Sequence, residues 1–302
     1  MAPTLFSIKS IVSILGQSST KVFYSLGVAG LILIAGTDLS IGRLTGASVS
    51  LVCMIMSQKI YALNSLSEGQ DGLPIDMTNL SFIPAMIIAI LVSILVCVLF
   101  TSIAGFFTAK FKMHPFITTL STQLVSFGLM MFLFSATPAF NMNMDWAKQI
   151  RGGIFAAIAI VIIWFIWNKT KFGKYMYAVG GNAEAASVSG INVFWVTMGI
   201  FIMAGVLYGL GGFFEATRIA VGSPSTGSGT ELDAIAACVV GGISFSGGVG
   251  KVSGAVVGTI IFTALTYCLT YCKIDVNLQF VFKGIIIMAA VCLDSLKFLK
   301  KK

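Results

Sequence analysis

The sequence predicts an all-α, polytopic membrane protein, and three observations carry that expectation. Hydrophobic residues fill 57% of the 302 positions and charged residues only 10%. A soluble domain carries about a quarter charged residues, so this chain lacks the polar surface to stay in water. The mean hydropathy is +0.97. The apolar residues are also gathered into runs, many of them near the ~20 residues a membrane helix needs.

Met1–Leu15 is mixed and too short for a span. The first expected span is 22–36, which stops at the polar knot Gly36-Thr-Asp-Leu-Ser-Ile-Gly-Arg43. The second, 44–60, is rich in Ser, Thr and Gly, and a loop at 61–81 with Glu68, Asp71, Gly72, Pro74 and Asp76 closes it. The third, 82–107, ends at the basic turn Lys110-Phe-Lys-Met-His-Pro115. The fourth is 116–136, followed by a loop with Asp145, Lys148 and Arg151. The fifth, 154–167, is short but very apolar. After a polar loop at 168–193 come 194–214, a second polar loop at 215–230, and 232–240, which breaks at Gly241–Gly250. Segments 252–269 and 280–293 complete nine expected spans, some of them discontinuous, in one membrane domain covering 1–302.

Orientation follows from the cytoplasmic bias of Lys and Arg. With the C-terminus inside, the inner loops hold Arg43, Lys110, Lys112, Lys169, Lys171, Lys174, Lys251, Lys297 and Lys300–Lys302. The outer loops hold only Lys59, Lys148, Arg151, Arg218 and Lys273. Nine spans then leave the N-terminus outside with no cleavable signal, which suggests a preceding span is missing from the chain. The net charge of +8 belongs to these span ends, and no basic surface interleaved with aromatics points to nucleic acid.

The loop 168–193 has a structure of its own. Asn182 can cap a short helix by accepting from an otherwise unpaired backbone N–H. Glu184 falls in its first turn, where the helix dipole favours an anion. Ala185 and Ala186 favour helix, and Gly190 suits the left-handed residue past the last turn. Two readings stay open here: a surface loop with a frayed turn, or a docking element for a soluble partner.

An internal repeat is visible. Gly42-Arg-Leu-Thr-Gly-Ala47 resembles Gly250-Lys-Val-Ser-Gly-Ala255, and each opens an apolar span after a glycine-containing break. Gly205/Gly209 and Gly254/Gly258 extend the small-xxx-small theme, which lets membrane helices approach closely. Broken helices at matching positions are typical of transporters. Asp38 and Ser40 in the first break, with Gly241, Gly242 and Ser244 in the second, are the candidate solute-path residues.

No enzymatic constellation stands out. The single histidine, His114, precedes Pro115 at a turn. Gly247–Ser253 superficially resembles a phosphate loop but fails GxxxxGK[ST], with Phe245 and Val252 at required positions, so no ATP site is expected. Six cysteines, at 53, 97, 238, 268, 272 and 292, are expected as small buried hydrophobes, with no metal site. Asp38, Glu215, Arg218, Glu231, Asp233, Lys283 and Asp294 are charges near membrane depth, where ionisable groups are costly and functional candidates.

Three motifs resemble one family. Phe172-Gly-Lys-Tyr-Met-Tyr-Ala-Val-Gly-Gly-Asn-Ala-Glu-Ala-Ala-Ser-Val-Ser-Gly-Ile-Asn-Val193 looks like the coupling loop of permease subunits of bacterial ABC importers of the ribose/galactose/xylose class. The knot at 36–43 and Glu231–Gly250 look like that class's early and late motifs. His114-Pro-Phe-Ile-Thr-Thr-Leu120, Trp167–Lys174 and Leu293-Asp-Ser-Leu-Lys297 are most similar to its galactose/methyl-galactoside branch. The resemblance implies a ten-span fold lacking its first span here, and a multi-pass place in the bacterial inner membrane with the C-terminus cytoplasmic. It implies a sugar-conducting, non-enzymatic subunit that binds no cofactor and uses ATP through a separate ATP-binding cassette subunit. The other implied partners are an extracytoplasmic sugar-binding protein, a second permease copy and membrane lipid. The coupling residues would be Asn182, Glu184, Ala185, Ala186 and Gly190. Ribose, xylose or a nucleoside is an alternative solute; a stand-alone secondary transporter or a membrane scaffold is an alternative class.

Overall fold

A computed structural model describes residues 7–57, 59–60, 75–76, 81–133, 140–143, 145, 147, 150, 152–223 and 225–299. Its described residues form eleven helices and four two-residue strands. The helices are α1 (Ile8–Leu33), α2 (Ile41–Met56), α3 (Phe82–Phe111), α4 (Pro115–Leu133), α5 (Gly152–Lys169), α6 (Lys171–Gly181), α7 (Ala183–Val188), α8 (Val193–Ile219), α9 (Thr230–Val240), α10 (Val252–Tyr271) and α11 (Val276–Leu299). Five of them, α3, α4, α5, α8 and α10, are long and apolar enough to cross a membrane. Packing divides the chain into two units: Met1–Thr37, Gly152–Ile200 and Leu232–Lys302 form unit 1, and Asp38–Arg151 with Phe201–Glu231 form unit 2.

In unit 1, α1 is the central helix and packs along α10 and α5. It begins at Ile8, well before the expected start at 22. Ser7 caps it, accepting from the Ser10 amide at 3.3 Å. Its first turns are amphipathic, with Ile8, Ile11, Val12 and Leu15 exposed at helical spacing. Interleaved Ser, Lys and Gln lower the average hydropathy there and hide the helix from a search for uniformly apolar runs. Residues Val22–Leu33 are buried throughout.

At 11 residues, α9 spans about 16 Å, roughly half a hydrocarbon core, so the segment expected as a seventh span is a half-helix. It crosses α10 at backbone distance: a Cβ on Gly254 would overlap the Gly241 carbonyl oxygen, and one on Gly258 the Ala237 carbonyl oxygen. Near the start of α9, Asp233 faces Lys283 of α11, with Nζ 2.7 Å away, and Lys21 of α1, with Nζ 3.4 Å away. All three side chains are largely buried. This ion triad joins three helices and accounts for two lysines that no loop claims.

In unit 2, α2 is buried almost all round and lies against α3 and α4. The Ser48 and Ser93 hydroxyls hydrogen-bond each other, and Ser93 donates to the Gly209 carbonyl of α8 at 2.6 Å. Gly205 and Gly209 bring α8 against the α3 backbone at Val98 and Ile94. The opposite side of α3 exposes Ile83, Ile87, Leu91, Leu95 and Leu99, a four-residue repeat suited to lipid. Strands β1 (Lys59–Ile60) and β2 (Ile75–Asp76) pair antiparallel, as do β3 (Phe140–Asn141) and β4 (Val221–Gly222). Of the expected 61–81 loop, residues 61–74 and 77–80 lie outside the described residues, as do Lys148 and Arg151.

Two expectations are corrected. Only Cys53, Cys97 and Cys238 are buried; Cys268 is half-buried, and Cys272 and Cys292 are exposed. Cys272 is the terminal cap of α10, and Cys292 lies on an exposed side of α11. The polar stretch 215–230 is not a simple outer loop. The Arg218 guanidinium pairs with Glu215 one turn earlier on α8. From β4 the chain then runs beside α2: Gly222 packs on Val49 and Ser50, and Gly227 on Gly42 and Thr45.

Candidate functional site

The polar loop of unit 1 folds as two helices. Thr170 starts α6, with its hydroxyl accepting from the Gly173 amide at 3.2 Å and donating to the Ile166 carbonyl at 2.6 Å. Asn182 ends α6 and starts α7. Its backbone is extended, its amide donates to the Ala178 carbonyl, and its Oδ1 accepts from the Ala185 amide at 2.9 Å. One residue therefore closes one helix and opens the next.

At the other end of α7, Gly190 has φ +84°. Its amide donates to the Ser187 carbonyl and the Ile191 amide to the Ala186 carbonyl, the paired bonds of a Schellman stop. Asn192 then caps α8 by accepting from the Trp195 amide at 3.2 Å. A six-residue helix is unstable alone in water, and these caps supply the missing partners. Glu184 lies in the first turn, exposed. Every residue of α7 except Ala186 is exposed, and Val188 is 92% exposed. Ala186 is thus the contact that seats α7 on its own chain, while Ala185 faces outward.

Behind α7, α6 is tied to the glycine turn between α9 and α10. The Tyr177 hydroxyl donates to the Gly250 carbonyl at 2.8 Å. Burial holds this phenol above its usual pKa, so it keeps the donated proton. A Cβ on Gly180 would overlap the Leu33 carbonyl, which also accepts from the Gly248 amide at 2.8 Å. Three chain segments thus meet backbone to backbone, and only glycine fits at position 180. From α11, Asp294 caps the same turn: Oδ2 accepts from the Ser244 hydroxyl at 2.9 Å and the Phe245 amide at 3.2 Å.

This arrangement gives the second set of expected path residues other work. Gly241 is used in the α9–α10 crossing, Ser244 is 2% exposed and held by Asp294, and Gly242 has φ +84° at the end of α9. Tyr177, Gly180 and Asp294 were missed as site residues. Tyr177 and Gly180 lie inside the quoted loop motif, and Asp294 was noted only for its charge.

The break in unit 2 is different in character. Asp38 and Ser40 are both fully buried. Asp38 Oδ1 accepts from the Ser40 amide at 2.7 Å and from its hydroxyl at 2.6 Å, forming a turn ahead of α2. Tyr208 of α8 faces the same carboxylate, and Thr119 of α4 accepts from the Leu39 amide at 3.3 Å. Gly42 has no room for a Cβ because the Glu231 carboxylate and the Gly227 carbonyl occupy that space. Glu231 in turn accepts from the Gly229 amide at 3.3 Å. Non-helical backbone at membrane depth is tolerated where protein buries it or where it lines water. Along α2, Gly222 and Gly227 meet the first condition by close packing, while Ser225 and Ser228 are exposed. The alternation of Ser, Thr and Gly in 223–231 ahead of a lone Glu was the available signal.

Known proteins are similar to this chain along nearly its whole length. Residues 10–291 match the family described as "Branched-chain amino acid transport system / permease component". The galactose/methyl galactoside import permease protein MglC of Treponema pallidum is 52% identical over 318 residues, covering 99% of this chain. This chain spans only 58% of the length of that relative. MglC of Escherichia coli K12 is 39% identical, covering 99% of this chain and 90% of that protein. The ribose import permease protein RbsC of Bacillus subtilis is 33% identical, covering 98% of this chain and 87% of that protein. No solved structure matches. With the family match running almost from end to end, the chain belongs to the branched-chain amino acid transport system / permease component family of membrane permeases.

Proposed function

We propose that this chain is the membrane-spanning permease subunit of an ATP-driven importer for a monosaccharide, galactose or methyl galactoside. The observation that carries the reading is α7: a helix of six residues, capped at both ends, almost wholly exposed, and backed by tight contacts to α6. Such an element has no use in its own fold and suits the groove of a soluble ATP-binding subunit. The identities favour galactose over ribose, at 52% and 39% for the two MglC relatives against 33% for RbsC. The chain is then a transport component rather than an enzyme, working with an ATPase, an extracytoplasmic sugar-binding protein and a second permease copy.

The cytoplasmic side is the end of unit 1 carrying α6 and α7. Lys169, Lys171, Lys174 and Lys251 flank the elements that meet there, in keeping with the bias of basic residues toward the inside. The break at Asp38 and Ser40 shapes the solute path in unit 2.

The test is uptake of labelled galactose in cells lacking their own permease, supplied with this chain and its partner subunits. Gly190→Pro and Glu184→Arg abolish uptake while membrane levels hold; normal uptake by both would remove α7 as the docking helix. Uptake by the chain reconstituted without any ATPase would instead make it a stand-alone transporter.

A further inference from the structure

The last two turns of α10 carry polar side chains where a membrane helix would ordinarily carry apolar ones. Thr266, Tyr267, Thr270 and Tyr271 lie there, with Thr270 and Tyr271 exposed and the other two half-buried. At 100° per residue, Thr266 and Thr270 lie on the side opposite the exposed Val257 and Ile261, which suit lipid. Gln17 of α1 joins them, and together the five side chains bound a cavity of about 200 Å³ within unit 1. Polar groups grouped on one exposed side of a span are expected to face water or protein rather than hydrocarbon.

The chemistry of the lining is selective. Tyr267 and Tyr271 stack on each other, with centroids 6.3 Å apart and planes 26° apart, and both line the cavity. Thr266 and Thr270 donate their protons to the carbonyls of Phe262 and Thr266, both at 3.0 Å. Their oxygens are left as acceptors only. A glutamine amide supplies donors and an acceptor in one plane. A pyranose asks for such a set: ring surface under its C–H side, acceptors for its hydroxyl protons, and an amide across neighbouring hydroxyls. Among the described residues the lining is uncharged, which suits a neutral solute.

We infer that this cavity is an extracytoplasmic subsite for a monosaccharide, where sugar leaving the binding protein first touches the permease. The inference rests on the sugar-importer reading above and on its orientation, in which α10 runs outward from Lys251. It is independent of Asp38 and Ser40.

The experiment uses intact cells expressing the full transporter. Thr270→Cys and, separately, Gln17→Cys are made in a Cys272→Ser background, because native Cys272 is exposed beside the site. A membrane-impermeant thiol reagent labels both positions from outside, and saturating galactose slows the labelling. In parallel, Gln17→Ala and Tyr267→Ala lower maximal galactose uptake by about two- to tenfold, the ratio a single hydrogen bond or ring contact is worth. The half-saturating concentration, set by the binding protein, stays unchanged, and Tyr267→Phe, which keeps the ring, stays near wild type. Failure of both cysteines to react would mean that the tyrosines form only an interfacial aromatic belt against lipid, and would overturn the subsite. Labelling that galactose does not slow would also overturn it, leaving a wet surface or a protein contact. Absence of galactose uptake by the wild-type transporter would refute the importer reading itself, a separate result.

Discussion

Asp233→Asn removes one negative charge from between two ammonium groups in unit 1. Lys283 Nζ lies 2.7 Å and Lys21 Nζ 3.4 Å from the carboxylate, and the side chains of Asp233, Lys283 and Lys21 are 13%, 13% and 24% exposed. At an effective dielectric near 20, these attractions are about 6 and about 5 kcal/mol before desolvation. Most of that gain only offsets the removal of three charges from water. The substitution leaves the desolvation of both lysines in place and adds their mutual repulsion. Breaking such a buried pair costs about 3–5 kcal/mol, and the quarter exposure of Lys21 argues for the lower end. For a chain of this length that is a fall of roughly 5 °C in apparent melting temperature. The measurement is the fraction of detergent-solubilised protein that stays monodisperse after heating. Two companions separate charge from packing. Asp233→Asn with Lys283→Met recovers most of the loss, and Lys21→Met/Asp233→Leu/Lys283→Met is as stable as wild type or more so. A melting temperature for Asp233→Asn within 2 °C of wild type, or a double variant no better than the single, would refute the triad as an energetic unit.

Two further outcomes are expected. Tyr177→Phe deletes one hydrogen bond to the glycine turn, worth about 0.5–1.5 kcal/mol, and Gly180→Ala drives a methyl into the Leu33 carbonyl. Both lower sugar carried per ATP hydrolysed in the assembled transporter; an equal fall in hydrolysis and uptake would show lost stability rather than lost coupling. Asp38→Asn keeps an oxygen for the Ser40 amide and hydroxyl, so membrane levels hold while uptake falls; unchanged uptake would return Asp38 to a purely structural part in the turn.

Much of this was legible in the sequence because the signals were local. The cap at Asn182 and the stop at Gly190 depend on neighbours within four residues, and the structure bears both out to the hydrogen bond. The small-xxx-small pairs at Gly205/Gly209 and Gly254/Gly258 carried their own packing instruction. What stayed hidden were partners far apart in the chain. Asp233 meets Lys21 across 212 positions and Ser244 meets Asp294 across 50, and no periodicity encodes either. The early start of α1 was hidden for a different reason: an amphipathic helix averages to modest hydropathy. The route of 223–231 along α2 was hidden because an irregular segment declares its place only through what Gly42 leaves open.

The geometry of unit 1 bears on how a push at α7 would be felt by the spans. A six-residue helix held only at its ends could tilt without consequence. Here Asn182 is shared between α6 and α7, so α7 cannot tilt without turning the end of α6. That end is where Gly180 touches Leu33 and Tyr177 reaches Gly250. The turn containing Gly250 is short and its conformation is fixed by its own bonds, Ser244 amide to Val249 carbonyl and Gly247 amide to Ser244 carbonyl. It therefore moves as a piece, carrying the ends of α9 and α10, and Asp294 ties that piece to α11. Packed elements with such direct backbone contacts shift as rigid bodies rather than deform. Sequence reasoning gave Gly241, Gly242 and Ser244 to the solute. Their neighbours place them in the joint through which α7 reaches α1, α9, α10 and α11, where Ser244 is buried and bonded to Asp294.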